Sequence, residues 1–394
     1  MKKSVVSHQA LFVLLFLLLL PLRVPAAEVV ERELLFPQDE GAHAGYGIEW
    51  WYVSGHLKDA GGRSYGLMAA FFKAEKTLVP THFLMLSLTD ETAGTHSSAV
   101  VADKNAWDMA DTMLNGALKK MPDNKYILHV RKFMDDNREK LVLSEPVKTS
   151  KESLKLKYGK NTMERIDDEN MVYKTHLEWD DISLDLKFTS VKPPLIVGDN
   201  GVIDMGIGGK SYYYSLTRLD VEGTLSAGQE ERKVTGGAWF DHQWGNWDGR
   251  RGYHGWDWFS VQLENGMDMN LFCFRDGEGN IIAPVATVYD GTASGTDKKV
   301  SRELSWAASG EWTSPDTGIT YPQDWTVIIA DLGITLDIRP TIPNQEIAIV
   351  ESLGAIWEGS TVVVADIAGE KVGGVGYTEL VGYGPRLQDV IETE

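Results

Sequence analysis

Cysteine is almost absent from this chain of 394 residues: Cys273 is the only one, so no internal disulfide can form and the fold must stand on its core. Basic residues are also scarce. Lys and Arg number 38 against 57 Asp and Glu, for a formal net charge of −19. That balance argues against nucleic-acid binding, because affinity for phosphate comes from neutralising it with cations. It equally disfavours anionic lipid surfaces. The Lys-rich stretch from Lys148 to Lys160 is a local exception and reads as a solvated face. Long apolar runs are missing, save one. Ala10 to Leu20 is an unbroken run of 11 residues behind Lys2 and Lys3, ended by Pro21 and followed by Val24-Pro25-Ala26-Ala27. It is too short to span a bilayer and has the layout of a secretory signal peptide. Residues 1–27 are therefore expected to be removed on export to the periplasm or the medium, leaving a soluble chain without a stable membrane anchor.

Aromatic residues are abundant, with 13 Trp, 14 Tyr and 12 Phe, and 43% of the chain is hydrophobic. That is ample material for sizeable cores, and at ~150 residues per domain the length suggests two of them. Most of the chain reads as short strands. Ile48–Leu57 stops at Asp59-Ala60-Gly61-Gly62, and Tyr65–Phe72 returns, a hairpin by composition and punctuation. Thr81–Leu88, Tyr126–Val130, Lys140–Leu143, Leu154–Tyr158, Met171–Trp179 and Ile182–Phe188 follow as strand candidates. Asp111–Lys119 is the best helical one. After a loop-like stretch through Gly206-Ile207-Gly208-Gly209, Tyr212–Leu219 resumes a strand. The polar segment Ser226–Lys233 marks a boundary between domains at residues 28–232 and 233–394. The second half repeats the style, with Tyr253–Val261 turning at Asn265-Gly266 into Met267–Phe274. Later strands are read at Ile281–Tyr289, Glu303–Ala307, Trp325–Ala330, Thr335–Ile338, Trp357–Ala365 and Gly376–Gly382. The pattern predicts an all-β chain. Glu49-Trp50-Trp51 with Phe71-Phe72 resembles Asp257-Trp258-Phe259 with Phe272 and Phe274, as two copies of one unit would.

Three carboxylates stand on aromatic strands. Alternation puts Glu49 on a face with Trp51, Val53 and Leu57, and Asp257 with Phe259, Val261 and Leu263. If those faces point inward, burial raises each acid toward values useful for proton donation. Each of them can equally be an end-of-strand acid that pairs with Arg or caps a turn. The third, Asp241, lies in Ala238–Trp247, the densest polar-aromatic cluster. There Asp241 and Gln243 share one face, His242 and Trp244 the other, so Asp241 and His242 do not orient each other. His242 reads as an acid/base, a ligand or a satisfied core residue.

No His-Glu-x-x-His, no close His and Cys pairing and no Gly-x-Ser-x-Gly occurs, so neither a metal nor a cofactor is expected from spacing. Gly206-x-Gly208-Gly209 lacks the context of a nucleotide loop. What remains is an aromatic-lined β-protein suited to a sizeable apolar ligand.

Phe36-Pro37-x-Asp39-x-Gly41-Ala42-His43 and Glu49-Trp50-Trp51-Tyr52-Val53-x-Gly55 open a series of motifs that spans the mature chain. Tyr212-Tyr213-Tyr214-Ser215-x-Thr217-Arg218, Trp239–Gly245 and Gly255-Trp256-Asp257-Trp258-Phe259-Ser260 continue it. Trp357-Glu358-Gly359 and Gly376-Tyr377-x-Glu379-Leu380-x-Gly382-Tyr383 close it. In this order they resemble the AttH-like and hydroxyneurosporene synthase (carotenoid 1,2-hydratase) family. The resemblance implies two lipocalin-like antiparallel β-barrel domains in tandem, with ligand space at or near their junction. In the carotenoid hydratases the motif matched by Asp241, His242 and Trp244 lies at the site, with a Tyr and a proton-donating Asp on a following strand. Here Met267–Phe274 carries Phe272 and Phe274 instead, which leaves Asp257 or Asp241 to protonate a C=C bond. On that reading Trp244, Trp256 and Trp258 stabilise a carbocation, His242 handles the attacking water, and Glu49 is a second acid across the junction. Trp50, Trp51, Tyr212, Tyr214, Arg218, Gln243 and Phe272 complete the expected ligand contacts. The other reading is a non-enzymatic periplasmic carrier for a lipid-like molecule, in which the carboxylates are structural.

Overall fold

Strands dominate because β-branched and aromatic residues recur at period two along most of the chain. The structure, a computed structural model, describes residues 27–75, 79–167, 169–205, 209–246, 253–289, 298–348 and 355–384. The leader over 1–26, the Gly206 to Gly208 run and Trp247 lie outside them.

The first sheet begins with a meander of β1 (Ile48–Asp59), β2 (Ser64–Ala74), β3 (Thr81–Asp90) and β4 (Thr95–Ala102). After two helices come β5 (Lys148–Thr149), β6 (Lys155–Tyr158), β7 (Asn161–Asp167), β8 (Val172–Trp179) and β9 (Ile182–Ser190). The short β10 (Leu195–Ile196) and β11 (Val202–Asp204) precede the long hairpin of β12 (Lys210–Ala227) and β13 (Glu230–Asn246). The second sheet holds β14 (Gly255–Leu263), β15 (Asp268–Arg275), β16 (Ile281–Tyr289), β17 (Lys298–Ser301) and β18 (Leu304–Thr313). It ends with β19 (Thr320–Ile329), β20 (Ile334–Pro340), β21 (Glu346–Ala348), β22 (Ala355–Ile367) and β23 (Glu370–Val381).

Both sheets are antiparallel and wound alike. The first runs β4-β3-β2-β1-β13-β12-β9-β8-β7-β6-β5, the second β17-β16-β15-β14-β23-β22-β20-β19-β18. In each, the opening strand is flanked by the strand after it and by the last one, so the repeat visible in the aromatic motifs is a repeat of topology. The chain is all-β, two lipocalin-like units in tandem, and each sheet curls around its own core. Leu84 and Leu86 of β3 share the first core with Leu156 of β6 and Tyr173 of β8; Ala286 of β16 shares the second with Trp325 and Val327 of β19. Because β13 pairs with both β1 and β12, the expected boundary at 232/233 falls inside that strand; the changeover between sheets comes after Asn246.

Two expected strands are helical. Tyr126–Val130 and Lys140–Leu143 fall on the helix Lys125–Leu141 or at its end. Asn124 caps it by accepting from the Tyr126 and Ile127 amides, and Ile127, Val130, Phe133 and Met134 make a buried stripe at helical spacing. The helical candidate Asp111–Lys119 extends to Lys104–Lys120, capped by Asp103. Both helices pack on the outward side of β3 and β4, in a third core that also takes Tyr52, Tyr213 and Trp239 from the first sheet and Trp258, Phe272 and Tyr377 from the second. This core is the junction. None of the helices described is long and apolar enough to cross a membrane.

Candidate functional site

β13 separates two buried polar clusters, because successive side chains on a strand point to opposite faces. Toward the junction stand Trp239, Asp241 and Gln243. Asp241 is 3% exposed, and it accepts from the Tyr213 hydroxyl at 2.5 Å and from Trp239 Nε1 at 2.7 Å. The Tyr213 oxygen in turn accepts from Trp258 Nε1 at 3.0 Å and Asn270 Nδ2 at 2.8 Å, both from the second sheet. With both acceptor positions of Tyr213 filled, its own proton is committed to Asp241. Burial pushes the Asp241 carboxyl up to about 7, against the hydrogen bonds from Ser215, Tyr213 and Trp239 that hold it down. Asn270 Oδ1 is buried without a hydrogen-bond partner among the described residues.

The facing wall comes from β22 and β23. Glu358 and Glu379 are register partners there, and Glu379 also pairs in register with Trp258 of β14. The Tyr52 hydroxyl crosses the junction to Glu358 Oε2 at 3.0 Å. Burial pushes Glu379 up to about 7, against a hydrogen bond from Trp256 and helped by the neighbouring charges of Asp241 and Asp257. Burial, with the charge of Glu379, also raises Glu358. None of Asp241, Glu358 and Glu379 forms an ion pair with Lys, Arg or His among the described residues. Trp50, Phe72, Trp256 and Val381 are only partly buried against the junction core, and Glu379 is partly buried beside them. Phe272 and Phe274 complete this wall.

On the other face of β13, inside the first barrel, His242 and Trp244 meet Glu49. Glu49 Oε1 lies 2.7 Å from His43 Nδ1 and 3.1 Å from His242 Nε2, and Oε2 is 3.1 Å from Lys73 Nζ. Burial alone would raise Glu49, but the two histidines and Lys73 hold it down to about 2. Burial lowers His242 to about 4 in spite of Glu49. For His43 the hydrogen bonds to Asp39 and Glu49 overcome burial and raise it. Trp51 stacks on His242, and Tyr212 and Tyr214 pack on Trp244.

The four expected catalytic residues thus do not converge. Glu49 and His242 meet in the first barrel, and Asp241 faces the junction alone. Asp257 points into the second barrel, where Arg275 Nε lies 3.0 Å from Oδ1 and the Tyr383 hydroxyl 3.1 Å away. Its face is inward as expected, yet inward means its own barrel; Asp257 is an ion-paired core acid. Of the expected ligand contacts, Trp50, Trp256, Trp258 and Phe272 line the junction, while Trp51, Tyr212, Tyr214 and Trp244 fill the first core. Gln243 is on the junction side, bound to Ser211 Oγ at 2.5 Å. Arg218 ties the sheets together through Asp268 at 2.7 Å. Glu358, Glu379, Tyr213 and Asn270 were not among the expected site residues, and only the period of their strands could have placed them on the aromatic face.

A family model described as AttH-like matches residues 27–383. The chain belongs to the AttH-like family. A crystal structure of an AttH from Nitrosomonas europaea is similar over 91% of this chain and 100% of its own, with 26% identity and a TM-score of 0.73. Kievitone hydratase from Nectria haematococca is similar over 93% and 98%, with 15% identity and a TM-score of 0.66. CghA, also solved with Sch210972, follows at 10% identity, 92% and 95% coverage and a TM-score of 0.53. No curated protein matches. The last two likenesses concern the fold, so the AttH-like architecture of paired barrels is common to chains of very different sequence.

Proposed function

We propose that this AttH-like protein binds a sizeable apolar molecule, isoprenoid- or lipid-like, between its two sheets and adds water across one of its C=C bonds. The observation that carries this reading is the set of three cation-free carboxyls, Asp241, Glu358 and Glu379, among the aromatic rings of the junction. An acid kept neutral by its surroundings is what alkene protonation needs. Donor count divides the roles. Asp241 collects three hydrogen bonds and is the acceptor; Glu379 receives one, from Trp256, and is the proton donor. In the proposed reaction the Glu379 proton forms a new C–H bond, and the π-faces of Trp50, Trp256 and Trp258 stabilise the resulting carbocation. Water then forms the C–O bond, ordered by the unpartnered Asn270 Oδ1, and gives its proton to Asp241. Proton exchange with solvent restores both acids. That kievitone hydratase shares the fold supports the reaction class. The run Ala10–Leu20 behind Lys2 and Lys3 supports export.

The test is turnover of acyclic isoprenoids and prenylated phenols, followed by mass spectrometry. Wild type is expected to yield the tertiary alcohol, with Glu379→Gln and Asp241→Asn slower by roughly 10²–10⁴-fold. No product, with tight quenching of Trp fluorescence by the same molecules, would replace catalysis by carriage. Neither product nor quenching would remove the ligand itself.

A further inference from the structure

The cluster inside the first barrel has no part in that reaction, being on the opposite face of β13. Its residues are of the types, and near enough to one another, to hold a metal ion. One Glu49 oxygen, one nitrogen of His43 and one of His242 lie within 4.8 Å of one another, as ligands around one ion do. The outer nitrogens of both rings are held by a single residue. His43 Nε2 is 3.1 Å from Asp39 Oδ1, and His242 Nδ1 is 3.0 Å from the Asp39 carbonyl. Both outer partners are acceptors, which suits the tautomer with a proton on each outer nitrogen and the inner nitrogen free for a cation. His242 and Glu49 are wholly buried. Asp39 is itself fixed, by a bidentate pair with Arg32 at 2.7 Å and by the Leu35 amide at 2.6 Å.

We infer that His43, Glu49 and His242 bind one divalent first-row transition ion, zinc being the best match to two imidazoles and a carboxylate. Lys73 and the His43 amide also contact Glu49, the amide at 3.0 Å from both oxygens. Lys73 is on Oε2, while the two imidazole nitrogens lie on Oε1, the oxygen that would face the ion. Glu49, Asp39 and Glu75 outnumber the cations Lys73 and Arg32 around the cluster, a balance that favours a cation. Among the described residues Trp244 Nε1 and the Tyr214 hydroxyl are buried without partners, and their rings pack on the histidines, Trp244 stacked on His43 at 3.9 Å and Tyr214 edge-on to His242 at 5.5 Å. The ion clips the segment before β1, which carries His43, to β1 and β13. Ligands at positions 43, 49 and 242 have no short spacing, which is why motif reading finds no site.

The full mature chain is stripped with a chelator, dialysed against Zn²⁺ or Co²⁺, and its metal content and visible absorption are measured. Wild type is expected to retain about one equivalent, to show intense low-coordinate cobalt bands, and to melt higher with zinc. His43→Ala and His242→Ala lose the tight equivalent, and Asp39→Asn binds roughly 10–100-fold more weakly. His176→Ala, at a surface histidine paired with Asp185, leaves binding unchanged. Failure of wild type to retain metal, or equal retention by His43→Ala, overturns the inference. Should His242→Ala not fold, X-ray absorption of the wild-type zinc protein decides: two imidazoles and a carboxylate in the shell uphold the site, any other set refutes it.

Discussion

Asp241 and His242 are neighbours in sequence and belong to different chemistry. Their strand sends one to the junction and the other to a barrel core, and that split was legible from alternation alone. Which barrel a buried face looks into was not. Asp257 shares a face with Phe259 and Val261 as read, but its partner Arg275 is 18 residues away on β15, and only the folded register brings the two together. Asp257→Asn is therefore expected to cost roughly 3–5 kcal/mol in denaturant unfolding, as removal of one member of a buried pair does, while hydration per folded molecule persists. Loss of turnover at full stability would return Asp257 to the site. Glu379 gives the opposite expectation. Its carboxyl is raised from 4.5 to about 7, so its contribution to stability is complete below about 4.5 and disappears as pH rises through about 7. Wild type should lose stability over that window relative to Glu379→Gln, and the hydration rate should fall along the same limb. Parallel pH profiles for the two proteins would contradict it.

At the scale of elements, the hairpin β1–β2 and its counterpart β14–β15 were visible because aromatic residues alternate around clear turns. The helix Lys125–Leu141 was not. Tyr126-Ile127-Leu128 mimics a strand in composition, while the burial stripe through Ile127, Val130, Phe133 and Met134 takes effect only against the preceding helix and β4. Asn124 decides locally by satisfying two first-turn amides. Asn124→Ala should lower stability by about 1 kcal/mol, with ligand-induced Trp quenching unchanged. A loss of quenching would mean that the helix end shapes the junction.

For the whole molecule, a few buried polar ties join the two halves. Asp268 is fully buried on the second sheet and holds Lys192, in the loop after β9, at 2.6 Å and Arg218 of β12 at 2.7 Å. Gln262 Nε2 adds bonds to the Thr217 and Ala238 carbonyls at 2.6 and 3.0 Å. Asp268→Asn strands two cations and should cost roughly 3–5 kcal/mol, read as a lower denaturation midpoint. The resemblance to paired barrels was legible from motif order, since most of those motifs lie on the central strands β1, β12, β13, β14, β22 and β23. The acids on the far wall were not, because Glu358 and Glu379 matter only once two sheets lie face to face.

Proton delivery from that wall to carbon is the step on which the account depends. The direct measurement is hydration in D₂O with mass spectrometry of the product. Wild type is expected to place one deuterium on carbon beside the new hydroxyl-bearing centre, and Glu379→Gln to place none above background. Product formed by Glu379→Gln at the wild-type rate, with the same carbon-bound deuterium, would contradict it.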